Sequence, residues 1–96
     1  MNEHAERFRI DPRHPSLPGH FPGAPVVPGV VLLDRVAASI EREGAGRLAR
    51  LGAVKFVSPL LPDQEAELRW TRDGARVRFR ILRGDATIVS GDGELA

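Results

Sequence analysis

PGHFPGAPVVPGVVLLDRV, Pro18 to Val36, sets four prolines, three glycines and a histidine ahead of an apolar run that a single aspartate, Asp34, interrupts. Six of the chain's eight prolines lie between Pro12 and Pro28. No helix or central strand survives that density, so the stretch reads as a stiff, ordered loop with Leu17, Phe21, Val26 and Val27 as apolar anchors. From Gly29 the pattern turns helical, GVVLLDRVAASIEREGAG over 29–46. Pro28 sits in the first turn, where a helix tolerates proline, and Gly44 and Gly46 mark the stop. Val30, Val31, Leu32 and Leu33 point in every direction around that first turn, which predicts burial on all sides. Ser39, Glu41, Arg42 and Glu43 read as an ordinary solvated face.

Around this helix the period is that of strands. RFRID at 7–11 alternates and predicts a short first strand. RLARLGAVKFVSPLLP predicts a strand across about 47–57 that ends at the Pro59/Pro62 turn. EAELRWTR (65–72) and ARVRFRIL (75–82) follow, joined by RDG at 72–74, and RGD at 83–85 turns the chain into ATIVSGDGEL. Val77, Phe79 and Ile81 fall on one face, and Arg76, Arg78 and Arg80 on the other. One strand, one long helix and four strands in antiparallel succession make an α+β layout. The sheet's apolar face has only the helix to cover it, so about five strands curl around one central helix. No repeat or linker divides residues 1–96, which are expected to form a single domain.

Composition narrows the function. A net charge of +1 and one tryptophan without tyrosine argue against nucleic acid, despite the arginine stripe. With no cysteine there is no disulfide framework or thiolate metal site. His4 and His14 lie too far from acid clusters to suggest a metal and read as surface histidines, so no metal is expected. MNEHAERF lacks the apolar stretch of a secretory signal, and no segment reaches the ~20 apolar residues of a membrane span. A cytoplasmic location is expected. So short a chain buries a modest core, and oligomerisation would help it.

Three groups converge near the proline-rich loop. His20 on a stiffened loop suits a general base near neutral pH. Gly29 opens the helix, where a free N–H and the positive dipole end can receive an oxygen gaining negative charge. Asp34 lies five residues on, about 7.5 Å along the axis. Partial desolvation there would raise its carboxyl pKa and make it a proton donor. Base, oxyanion donor and acid suit proton abstraction α to a carbonyl with loss of a β-leaving group. A loop histidine is also commonly structural and a helix aspartate commonly solvated, so spacing alone does not choose.

GHFPGAPVVPGVVLLD resembles the signature of the bacterial 3-hydroxyacyl-acyl-carrier-protein dehydratases, the hot-dog-fold enzymes of fatty-acid synthesis. His20 and Asp34 stand fourteen positions apart, with Phe21, Pro22, Pro25, Pro28 and Gly29 at the matching places. VKFVSPLLPDQEAELRW resembles the family's strand, turn and strand more loosely. The resemblance implies a hot-dog domain that dehydrates a (3R)-hydroxyacyl carrier-protein thioester to the trans-2-enoyl thioester. It implies His20 as the base on Cα, Asp34 as the group that positions or protonates the departing hydroxyl, and the Gly29 amide on the thioester oxygen. The Val26 carbonyl would orient the imidazole. Phe21, Pro22, Pro25, Val27, Pro28 and Leu33 would support the loop or substrate tunnel. It further implies a homodimer with shared sites, an acidic acyl carrier protein as substrate carrier, and no cofactor. Arg35, Arg47, Arg50 and Lys55 are candidate contacts for that carrier, though each is also an ordinary solvated side chain.

Two positions depart from the pattern. Where the fatty-acid enzymes read A-x-x-Q after the acid, this chain has Arg35 and Ala38. The compact form looks more like the short dehydratases of aryl-polyene and xanthomonadin-type pigment pathways. A hot-dog thioesterase and a non-catalytic acyl-binding module are the alternatives.

Overall fold

The structure, a computed structural model, describes residues 3–15 and 26–96. Its elements in chain order are β1 (His4–Phe8), α1 (Gly29–Arg42), β2 (Leu48–Phe56), β3 (Ala66–Asp73), β4 (Arg76–Arg83) and β5 (Ala86–Leu95). The strands form one sheet in the order β1-β3-β4-β5-β2, every neighbouring pair antiparallel. The α+β expectation of five strands and one helix is therefore met. The expected succession of the last four strands is not, because β2 lies beyond β5 rather than beside β3. The connection over 57–65, stiffened by Pro59 and Pro62, carries the chain from the β2 edge across the sheet to β3, which lies next to the opposite edge strand, β1. Among the described residues only β3–β4 and β4–β5 are hairpins, each closed by two residues led by a left-handed glycine, Gly74 or Gly84.

The first strand also sits earlier than RFRID predicts. Its register runs from His4 opposite Trp70 to Phe8 opposite Ala66, where β3 begins, so no ladder partner remains for Arg9 to Asp11. The inward alternation continues all the same. Ile10 is buried, and its carbonyl accepts the Asp63 N–H at 2.8 Å.

The core lies between the helix and the sheet's inner face. Val31, Leu32, Val36 and Ile40 of α1 pack with Leu68 and Trp70 of β3, Val77, Phe79 and Ile81 of β4, and Ile88 and Val89 of β5. The first helical turn is not buried on all sides: Val30 is 62% exposed. Four consecutive apolar residues span most of the helix circumference, but the sheet covers only the side that faces it.

Ser39 is a second departure, at 1% exposure rather than on a solvated face. Trp70 Nε1 donates to its Oγ at 2.9 Å, and that hydroxyl donates to Glu6 Oε1 at 2.5 Å. Arg42 donates to the same oxygen, and His4 Nε2 lies 2.8 Å from it. His4 is thus not remote from acids; it stands between Glu6 and Glu43 and against the Trp70 ring, centroids 5.3 Å apart. Burial by itself would raise the Glu6 carboxyl, but the hydrogen bonds from Ser39, His4 and Arg42 together with the charge of Arg42 hold it down at about 2. The network fastens β1 and the second half of α1 to β3.

Candidate active site

Pro28 enters α1 with extended backbone and no side-chain cap. Its carbonyl accepts the Val31 and Leu32 N–H groups at 3.0 and 3.4 Å. The Gly29 N–H has no acceptor among the described residues, as the first turn of a helix dictates. The chain reaches this point held by Val27, whose N–H donates to the Leu60 carbonyl at 2.8 Å. Between the two segments lies a cleft of about 470 Å³, walled by Val26, Gly29, Leu32, Phe56, Val57 and Leu60. An apolar cleft with a helix-start amide and a helix dipole at its end can hold an acyl chain and stabilise a developing oxyanion.

The Phe56 ring packs so closely on the helix start that a Cβ at Gly29 would lie 2.7 Å from two ring carbons. Glycine therefore serves this position by its lack of a side chain as well as by its amide.

Of the residues singled out from the sequence, Val26, Val27, Pro28 and Gly29 come together at the cleft. His20, Phe21, Pro22 and Pro25 lie outside the described residues. Leu33 is half-buried and packs on the core. Asp34 is exposed on the same helical stripe as Val30 and Ala38, and it does not line the cleft. The desolvation expected for it is thus missing in the single chain, because the sheet covers the opposite side of α1.

The basic residues do not form one rim. Arg35 turns toward β1, its guanidinium carbon 5.0 Å from the centre of the Phe8 ring and its buried Nε without a hydrogen-bond partner. Arg47 is exposed just ahead of β2, its backbone paired with that of Ala96. Arg50 reaches Glu94 at 3.9 Å, and Lys55 is exposed opposite Ser90 of β5. The cleft walls Phe56, Val57 and Leu60 were not among the expected site residues. Their signal was the apolar run before the Pro59/Pro62 turn, which reads equally well as the end of a strand.

Four of the five large apolar residues exposed among the described residues are concentrated, the fifth, Leu61, lying in the 57–65 connection. Val30, Leu51, Phe56 and Val57, each at least 41% exposed, lie on the helix start or on β2 and its end. β2 is also a sheet edge, its outer side unpaired among the described residues. Among these residues no helix is long and apolar enough to cross a membrane.

A protein-family model described as ApeI-like, ApeI dehydratase, matches residues 1–92. A 3-hydroxyacyl-[acyl-carrier-protein] dehydratase FabZ of Haemophilus influenzae (strain PittEE) is 32% identical over 98 residues, covering 91% of this chain and 64% of its own. The chain spans about three fifths of the length of another such relative, from Rhodopseudomonas palustris (strain TIE-1), at 28% identity over 84% of this chain. Among solved structures, "The Dehydratase Heterocomplex ApeI:P from Xenorhabdus doucetiae" superposes with a TM-score of 0.86 at 28% identity, covering 98% of this chain and 87% of that one.

Proposed function

The chain belongs to the ApeI-like dehydratase family, and on that premise we propose that it dehydrates (3R)-hydroxyacyl thioesters to trans-2-enoyl thioesters. The observation that carries this reading is the Gly29 amide, without an acceptor among the described residues, at the end of an apolar cleft and five residues ahead of Asp34. The acyl chain lies along Phe56, Val57 and Leu60, and the thioester oxygen accepts the Gly29 N–H. His20 takes the proton from C2, and the electron pair moves onto the thioester oxygen as an enolate; it then returns, forming the C2–C3 double bond as the C3–O bond breaks. Asp34 supplies the proton with which the hydroxyl leaves as water, which restores the carbonyl. The helix dipole favours the negative charge on the thioester oxygen between these steps.

The site is completed by a second subunit. Asp34 is exposed and does not line its own cleft, and the exposed Leu51, Phe56 and Val57 lie on or at the end of β2, an edge strand with no outer partner among the described residues. A two-fold arrangement would set His20 of one copy against Asp34 of the other and cover that surface. We take the second subunit to be another copy. A related chain in its place, as in the heterocomplex from Xenorhabdus doucetiae, is the other outcome of measuring the assembly. The substrate arrives on an acidic carrier protein in the cytoplasm, and pigment-type aryl or polyene acyl groups are favoured over those of primary fatty-acid synthesis.

The test is turnover of 3-hydroxyacyl carrier-protein substrates, aliphatic and aryl-bearing, with the products resolved by mass. Enoyl thioester is expected. Free acid would show a thioesterase instead, and bound but unchanged substrate an acyl-binding module. His20→Ala should abolish hydration of an enoyl thioester, the reverse reaction, while the assembly stays folded; full activity in that variant would overturn the mechanism.

A further inference from the structure

The outer face of the sheet carries charge that the reaction does not use. Pairing places Lys55, Ser90, Arg80 and Arg69 in one row across β2, β5, β4 and β3, with Arg78 two residues along from Arg80. A groove of about 510 Å³ runs over this row, and Thr71 and Ser90 add hydroxyls to its lining. Arg69 is neutralised by Glu67 and Glu3. Asp92, also on the groove, is engaged by Arg76 and by the Ala53 N–H. Lys55, Arg78 and Arg80 have no acid within ion-pair distance among the described residues.

The groove reaches β2 at Ala53, Val54 and Lys55, the edge where a second copy is expected. The facing of β2 is fixed by its partner strand. Leu51 and Val54 stand opposite Gly93 and Gly91 on the inner face, while Arg50 and Lys55 stand opposite Glu94 and Ser90 on the outer face. Between Leu51 and Val54 the register shifts by one residue, a bulge at Gly52 and Ala53. A two-fold axis through that bulge sets Leu51 against Val54 of the other copy inside, so the faces match on both sides of it. The same register sets Arg50, itself 3.9 Å from Glu94 of its own copy, against Lys55 of the other copy outside, twice over. Like charges directly opposite weaken a strand pair, and here they meet beside a groove whose Lys55, Arg78 and Arg80 have no acid partner among the described residues.

Resting on the two-subunit reading above, we propose that a compact polyvalent oxyanion of the phosphate class binds the outer face of this seam and tightens the dimer. Lys55, Ser90 and Arg80 of one copy and Arg50 of the other hold it. The anion neutralises the opposed cations and supplies acceptors for their donors. Binding to the paired form alone shifts the monomer–dimer equilibrium by mass action.

Sedimentation equilibrium in sodium pyrophosphate against sodium chloride at matched ionic strength tests it. The dimer dissociation constant should fall about tenfold in pyrophosphate. Lys55→Glu, which turns the opposed pair attractive, should dimerise more tightly in chloride and lose the response. Arg80→Ala, off the seam, should weaken the response and leave the chloride constant unchanged. A wild-type dimer indifferent to pyrophosphate, or a Lys55→Glu dimer that still responds, overturns the anion site and leaves the two-subunit reading standing. A chain monomeric in every buffer overturns both. Because the chain lacks cysteine, the register has its own readout. Arg50→Cys mixed with Lys55→Cys should oxidise mainly to the mixed disulfide, and an excess of like-with-like disulfides overturns the register.

Discussion

At the scale of single residues, Gly29 and Asp34 answer to different forces. A methyl at Gly29 would press on the Phe56 ring from 2.7 Å. The Phe56 ring is 53% exposed and can turn aside, so Gly29→Ala should cost at most about 1 kcal/mol, read from the urea midpoint. Adding Phe56→Ala removes the obstacle, so the double variant should cost less than the sum; additive costs would show that the ring is not what the methyl meets. Asp34 is exposed, so Asp34→Asn should leave stability within about 0.5 kcal/mol yet lose most of the dehydration rate. A near-normal rate would make the carboxylate a bystander. Both positions were legible in the letters, since a glycine opening an apolar helix and an acid five residues on are visible without coordinates. The exposure of Asp34 was not. Four apolar letters in a row do not say which side of the turn the sheet will leave open.

Between elements, one fastening is polar. Ser39 joins Trp70 and Glu6, residues 31 and 33 positions away. Ser39→Ala would strand a buried indole N–H and remove one donor from Glu6, at a cost of about 1–3 kcal/mol. Trp70, the only tryptophan, makes its own fluorescence the natural probe of the unfolding midpoint. The same network predicts a pH dependence. Glu6 titrates near 2 in the folded chain against an ordinary 4.5. Between these values the unfolded chain binds more protons, so this contribution is whole above about pH 4.5 and is lost as pH falls toward 2. Glu6→Gln should flatten the slope of stability in that window; an unchanged slope would mean other carboxylates set it. The sequence placed Ser39 on a solvated face because its neighbours are charged. A serine's burial is decided by donors and acceptors on distant strands, which local periodicity does not register. Strand β2 was misjudged for a related reason: its residues mark it as a strand, but not which neighbour it joins.

For the whole molecule, a site shared between copies makes a quantitative claim. Mixing His20→Ala and Asp34→Asn chains, each inactive alone, should restore about a quarter of wild-type turnover. Half the dimers are mixed, and each mixed dimer holds one intact site. No recovery after demonstrated subunit exchange would place both groups on one chain. Leu51→Asp, on the exposed edge, should dissociate the assembly and reduce turnover together, measured by sedimentation and assay on the same sample. The strand order also sets a sequence in time. β3, β4 and β5 are joined by two-residue turns and are neighbours along the chain as well as in the sheet. β1 and β2 must close long loops, His4 to Trp70 and Phe56 to Val89, and that entropy is spent before their contacts repay it. The three-stranded meander therefore folds first, and pulse-labelled hydrogen exchange should protect β4 amides ahead of those in β2. The edge most able to template wrong pairings becomes a strand only once a finished core stands behind it, which narrows the interval in which a nascent chain can aggregate through it.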